Sequence, residues 1–114
     1  MSNALLNEEI EEKGIHFSAT LLKLENSVIV FFNERESFKL GTLAIAMPNP
    51  LTSTYLSSIL LGDRNIGITK ILAGRFSNAF SCISLVSTHL ANIKEMDIGA
   101  LLLKLAQKLI DKLS

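Results

Sequence analysis

The side chains in this sequence that could do chemistry are two histidines, one cysteine and several serines in strand-like segments. Nucleophilic catalysis needs a serine or cysteine within hydrogen-bond reach of a base, and a third group must orient that base. His16 falls on the polar alternation of a strand-like segment and His89 lies at a strand end, which is typical of solvated or edge histidines. Cys82 stands in an apolar segment without a predicted cationic neighbour, as a buried inert thiol does. We therefore predict a protein that is not an enzyme, and the rival hypothesis is a small hydrolase using Cys82 and a histidine.

One glycine pair has the spacing of a phosphate-binding loop. Gly62 and Gly67 are separated as the two glycines of a Walker motif are. Ile68 and Thr69 follow where the motif requires a lysine and then a serine or threonine, so the charge that holds the terminal phosphates is missing. With one cysteine, the chain also has no Cys-His set for zinc. We expect neither a metal nor any other cofactor.

Length and composition exclude further classes of protein. A chain of 114 residues, 48% hydrophobic and 19% charged, has the size of one folded domain. Eleven basic residues balance eleven acidic ones, so no net field would gather nucleic acid or an anionic membrane. Apolar runs such as Val28 to Phe32 are far shorter than the roughly 18 residues that span a bilayer. The acidic start is unlike a cationic signal peptide, so we expect a cytoplasmic protein, with the nucleus as a second compartment.

The first fourteen residues differ in character from the rest. They carry four glutamates against Lys13 and end at Gly14. This composition predicts a solvated, flexible acidic leader with a turn of helix around Leu5 to Ile10 and no role in the core. The folded domain is then expected to run from residue 15 to residue 114.

Period-two alternation of apolar and polar residues predicts the strands of that domain. It runs from Ile15 to Leu24, and a polar turn joins this segment to Val28 to Phe32 in a predicted hairpin. Further strands are predicted from Phe38 to Met47, from Thr52 to Leu61 and from Ser81 to Leu90. Five consecutive apolar residues in the second strand mean that both of its faces leave water. Each side of the sheet must therefore be covered.

One predicted strand has faces of unequal size. Leu43, Ile45 and Met47 point one way, whereas the other face carries the smaller Thr42 and two alanines. The small face leaves room for a helix or a partner to approach the sheet closely.

Two helices are predicted in the second half of the chain. Asp63 is a favoured N-cap, so an internal helix should begin near Arg64, and Arg75 falls inside its apolar stripe. Asp97 should cap a final helix that ends near Leu113. The apolar arc of this last helix is about twice as wide as a surface helix needs. We predict an α+β fold in which both helices pack on an antiparallel sheet of about five or six strands, with apolar surface left for a partner.

Four short segments between residues 16 and 90 carry a recognisable pattern. They are Leu43-Ala44-Ile45-Ala46-Met47, Ser58-Ile59-Leu60-Leu61-Gly62-Asp63, Leu72-Ala73-Gly74-Arg75-Phe76 and Val86-Ser87. The most specific piece is Leu60-Leu61-Gly62-Asp63 together with the Leu-Ala-x-Arg of the following helix. In this order, the segments resemble the proteasome assembly chaperone 4 family.

The resemblance implies a non-catalytic chaperone subunit that pairs with a sister of similar fold, proteasome assembly chaperone 3. It further implies that this heterodimer binds an α-subunit, guides assembly of the α-ring of the 20S proteasome and then leaves. The expected interface residues are Leu60, Leu61, Gly62, Asp63, Arg75, Leu103 and Ile110. For Arg75, snorkelling to water, pairing with a carboxylate such as Asp63 and contact with a partner all stay open. The alternative function is a small dimeric scaffold of the roadblock or longin type in trafficking or signalling.

Overall fold

The computed structural model describes residues 4–12, 14–34, 37–52, 54–90 and 95–113. Within these ranges the chain forms six strands and two helices. The strands are β1 (Ala4–Glu12), β2 (Ile15–Lys23), β3 (Ser27–Glu34), β4 (Thr42–Pro48), β5 (Tyr55–Leu61) and β6 (Ile83–His89), and the helices are α1 (Ile66–Phe80) and α2 (Glu95–Leu113). The predicted α+β class is confirmed. Neither described helix is both long and apolar enough to cross a bilayer.

The six strands form one mixed sheet in the order β1-β2-β3-β6-β4-β5. Every neighbouring pair is antiparallel except β3 and β6, which run parallel. A parallel pair needs a long crossover connection, and the segment between β3 and β6 supplies one because it contains a whole hairpin and α1. The sheet therefore departs at this one pairing from the antiparallel arrangement expected from the sequence.

Both helices cover the same face of the sheet. α1 packs on β4, β5 and β6, and α2 packs on β1, β2 and α1. The side chains beneath them come from alternate positions of the central strands and are fully or almost fully buried. They are Phe17, Ala19, Leu21, Val28, Val30, Phe32, Ala44, Ala46 and Val86. The alternation predicted for β2 is confirmed, and the opposite face of the sheet carries no helix in the described part of the chain.

Residues 4–12 are an edge strand, so the expected leader without a role in the core is wrong for this segment. β1 pairs with β2 along its whole length, from Ala4 opposite Lys23 to Glu12 opposite Ile15. Leu6 and Ile10 pack against the core, and Glu8 forms an ion pair with Lys112 of α2. These distant contacts make a strand of a segment whose composition predicts solvation. Residues 1–3 and 13 lie outside the described residues.

Small side chains let α1 approach the sheet, as the unequal faces of β4 predict. Ala44 and Ala46 are fully buried beneath the helix. Two hydroxyl contacts fasten it there: Thr69 and Thr88 meet at 2.7 Å, and the Ser84 hydroxyl donates to the Ala73 carbonyl at 2.5 Å. Because these buried polar groups are paired, close packing leaves no orphaned hydroxyl at this contact.

The helix starts differ from the sequence expectations. α1 begins at Ile66, and its N-cap is Asn65 in the left-handed region (φ 56°), without a side-chain cap bond. Asp63 is therefore not the cap. α2 begins at Glu95, which places Asp97 inside the helix.

Gly74 fixes the height of α1 above β5. A Cβ at this position would lie 1.8 Å from Cε1 of Tyr55, so the tyrosine ring packs directly on the helix backbone. Alanine here would gain helix propensity but would expel the ring.

We expect Gly74→Ala to lower the free energy of unfolding by about 1–2 kcal/mol, because overpacking outweighs the propensity gain of about 1 kcal/mol. In a Tyr55→Ala background the same substitution should instead stabilise the protein, since the obstructing ring is gone. Urea unfolding of the four proteins in this cycle measures both effects. A loss of similar size in both backgrounds would contradict the proposed contact.

Candidate protein-binding face

The sheet face opposite the helices carries a continuous apolar patch. Its side chains come from all six described strands, and we call them the open apolar patch. The members are Leu5, Leu22, Ile29, Phe31, Leu43, Ile45, Met47, Leu56, Leu61, Ile83 and Leu85. β3 thus has apolar side chains on both faces, as its sequence predicts.

The strand register makes this patch contiguous. Leu22 lies opposite Ile29, Ile29 opposite Leu85, and Leu85 opposite Ile45, so four neighbouring strands contribute to one row. Directly opposite residues have Cβ atoms about 4.5–5.5 Å apart, which brings successive side chains into contact. These central residues are half-buried by one another.

The margin of the patch is more exposed than its centre. Ile83 is 39% exposed, Met47 40%, Leu61 47% and Leu56 56%. Phe38, 67% exposed, extends the patch from the following loop and packs edge-on against Phe31 with ring centroids 5.2 Å apart. Contiguous apolar surface of this kind marks protein contacts in soluble proteins.

Polar side chains border the patch on the β1–β2 side. The Thr20 hydroxyl donates to Asn7 Oδ1 at 2.9 Å, and Asn7 Nδ2 donates to Glu9 Oε2 at 3.1 Å. His16 Nε2 pairs with Glu9 Oε1. We call these four residues the polar margin. An apolar centre beside polar groups resembles the core and rim of protein interfaces.

The predicted corner residues lie at the β5 end of the open face. Leu61 belongs to the patch, and Leu60 is the extra residue of a β-bulge and is 54% exposed. Gly62 adopts φ 95°, and a Cβ there would lie 2.6 Å from the Thr42 side chain. Asp63 is exposed.

Thr42 holds this corner in place of Asp63. Its hydroxyl donates to the Arg64 carbonyl at 2.5 Å and accepts from the Arg64 amide at 3.2 Å. One side chain of β4 thus fixes the turn that precedes α1.

The other predicted interface residues lie on the helix side. Arg75 is exposed, and its Nη2 donates to Gln107 Oε1 at 3.0 Å rather than pairing with Asp63. Leu103 is half-buried, whereas Ile110 is 9% exposed and packs in the core. Ile110 is therefore buried in the core of its own chain. None of these three residues lies near the open apolar patch.

The interface residues predicted from the sequence do not include the centre of the patch, although an apolar sheet face was expected to take part in pairing. Ile29, Ile45 and Leu85 alternate with core residues, and their strands are apolar at both sets of positions. Apolar residues at both sets of alternating positions were the sequence signal for this surface. They predict that both faces of the sheet are covered, but they do not predict which face the helices cover.

The histidines and the cysteine are too far apart for nucleophilic catalysis. Cys82 precedes the first residue of β6 and His89 is its last, which separates them by roughly 23 Å at about 3.3 Å per residue. His16 lies near the His89 end, because Ser18 faces Asn33 and Asn33 faces His89. Across the described ranges, no group of three His, Cys, Asp or Glu side chains could hold a metal ion.

Burial raises the pKa of the Cys82 thiol, and nearby Lys23 opposes this with a smaller lowering effect. Lys23 is a cationic neighbour that the sequence reasoning did not predict. The net effect keeps the thiol protonated at neutral pH, unlike that of a catalytic cysteine.

Comparison with solved structures gives a likeness of fold, whereas comparison of the sequence gives none. No protein-family model matches the chain, and no curated protein matches it. A chain in the crystal structure of a chaperone complex for yeast 20S proteasome assembly superposes with a TM-score of 0.74. The two chains share a fold. The superposition covers 99% of this chain and 96% of the yeast chain, at 17% sequence identity.

We expect Cys82 to react slowly with iodoacetamide at pH 8, because its raised pKa leaves less thiolate than in an unfolded chain. The rate should rise as the pH passes the ordinary cysteine value and should increase when urea exposes the thiol. Alkylation followed by mass spectrometry measures both rates. A native thiol that reacts faster than the unfolded one would contradict the assignment.

Proposed function

We propose that this protein is a non-catalytic subunit of a proteasome assembly chaperone and pairs with a sister chain of similar fold. The heterodimer binds a proteasome α-subunit and promotes assembly of the 20S α-ring. The observation that carries the proposal is the fold shared, over nearly the whole of both chains, with a chain of the yeast assembly chaperone complex. In this proposal the protein acts in the cytoplasm and also in the nucleus.

The open apolar patch is the surface proposed for the sister chain. Face-to-face packing of two sheets buries alternating side chains in a layer about 10 Å thick, and half-buried residues such as Ile45 and Leu85 suit it. A sister of the same fold would present an equivalent sheet face. The two apolar sheet faces would then pack against each other, with the helices of each chain on the outside.

The α-subunit is proposed to bind elsewhere. The corner of Leu60, Gly62 and Asp63 lies at the rim of the open face, and Arg75 lies on the helix side. Arg75 is a suitable anchor because a guanidinium donates in a planar fork to carboxylates and carbonyls. Because the two surfaces are separate, one chain could bind its sister chain and the α-subunit at the same time.

Coexpression with the sister chaperone should give a one-to-one complex that retains an α-subunit in a pulldown. Native mass spectrometry measures the composition of the complex, and a known chaperone pair serves as the positive control. If the chain retains neither protein under conditions in which the known pair binds, the proposal is wrong. A tight homodimer that ignores proteasome subunits would favour the alternative scaffold function.

We expect Ile83→Glu to weaken binding of the sister chain by at least tenfold, because a carboxylate would be buried in an apolar interface. Ile71→Glu is the matched control, since Ile71 is also an exposed isoleucine (49%) but lies on α1. Circular dichroism should show both variants folded. Equal binding by the two variants would exclude the open apolar patch as the sister's surface.

A further inference from the structure

β5 is a free edge of the sheet. It pairs with β4 on one side and with no strand of the described chain on the other. Its residues from Tyr55 to Ile59 pair one-to-one with β4, and the bulge at Leu60 ends this regular stretch. The outward backbone groups of these five residues are available to another strand.

This edge carries no charged side chain that would oppose pairing. The sequence has no Asp, Glu, Lys, Arg or His between Lys39 and Asp63, so the whole β4–β5 hairpin is uncharged. The opposite edge, β1, carries Glu8, Glu9, Glu11 and Glu12. Native proteins place charges on edge strands to prevent association. The two edge strands therefore differ in charge, and the uncharged β5 is the edge that can pair with another strand.

The β5 edge is complementary to itself. An antiparallel pair centred on Ser57 would place Ser57 opposite its own copy and Tyr55 opposite Ile59. An aromatic side chain opposite a β-branched one is a favourable cross-strand pair. With no charge on the strand, two copies bring no like charges together. A two-fold interface requires such self-complementarity.

We infer that two copies of this chain associate through β5, as antiparallel strands related by a two-fold axis at Ser57. The two six-stranded sheets become one sheet of twice that width, with all helices on one side. This contact uses an edge and leaves the open apolar patch free, so it goes beyond the proposed function and is compatible with it.

The size of the contact predicts a weak dimer. Five paired residues bury much less than the roughly 1,200–2,000 Å² of a stable interface. Association should therefore depend on protein concentration. Chemical trapping is the suitable measurement, because it captures a reversible contact.

Two adjacent serines allow a direct test. In a Cys82→Ala background, Ser57→Cys places two thiols opposite each other across the proposed axis, within disulfide reach. Ser58→Cys is the matched control. Its two Cα atoms would be about 8 Å apart, given a rise of 3.4 Å per residue and strands 4.8 Å apart, which exceeds disulfide reach of about 7 Å.

The full-length variants are oxidised without any partner protein at two concentrations, and the dimer is measured on non-reducing gels. We expect Ser57→Cys to give at least about fivefold more dimer than Ser58→Cys, more at the higher concentration, with the difference abolished in urea. Similar yields, or more dimer from Ser58→Cys on the open face, would overturn the inference. No dimer from Ser57→Cys would also overturn it. Because no sister chain is present, these outcomes are independent of the test of the proposed function.

Discussion

The structure depends on one constraint: its central strands are apolar on both faces, while its helices cover only one. Val28, Val30 and Phe32 of β3 lie beneath the helices, and Ile29 and Phe31 lie on the open side. Because side chains of a strand alternate, no movement of the described helices can cover both sets at once. The uncovered set either stays in water, at a cost of about 25 cal/mol per Å², or meets another protein. The fold thus leaves one apolar sheet face whose burial against another protein would be favourable.

The terminal helix shows why an apolar arc alone does not identify a binding surface. Leu102, Leu105 and Leu109 are fully buried, and Ile110 nearly so. α2 lies in the corner between the sheet and α1, so its wide arc meets two surfaces of the same chain. A helical wheel measures how much of a helix is buried and says nothing about what buries it. The predicted excess of apolar surface exists, but it lies on the sheet.

Period and residue size predicted most of the fold, because both act locally. Strand alternation, the small face of β4 and the two helices all follow from neighbouring residues. The strand β1 and the first residue of α1 were not predicted correctly, because both depend on contacts with residues distant in the sequence. Lys112 of α2 pairs with Glu8, and the Thr42 hydroxyl holds the turn that Asp63 was expected to cap. The same limit applies to the candidate site: the patch residues were visible as apolar positions, but the face they occupy depends on where both helices pack.

The open face and the β5 edge differ in how they can specify a partner. Apolar contact is non-directional, so the patch gains free energy from almost any matching apolar surface. Discrimination between one partner and another must then come from groups whose burial costs free energy when they are left unpaired. The polar margin supplies such groups, since Glu9 and His16 would lose their hydration beneath an apolar partner. A partner that buries the patch must leave this margin in water or pair with it, and that requirement sets its orientation. The β5 edge differs in both respects. Its backbone hydrogen-bonding groups are directional, so they require another strand as the partner. Its side chains are uncharged, so no like-charge repulsion opposes pairing with a second copy.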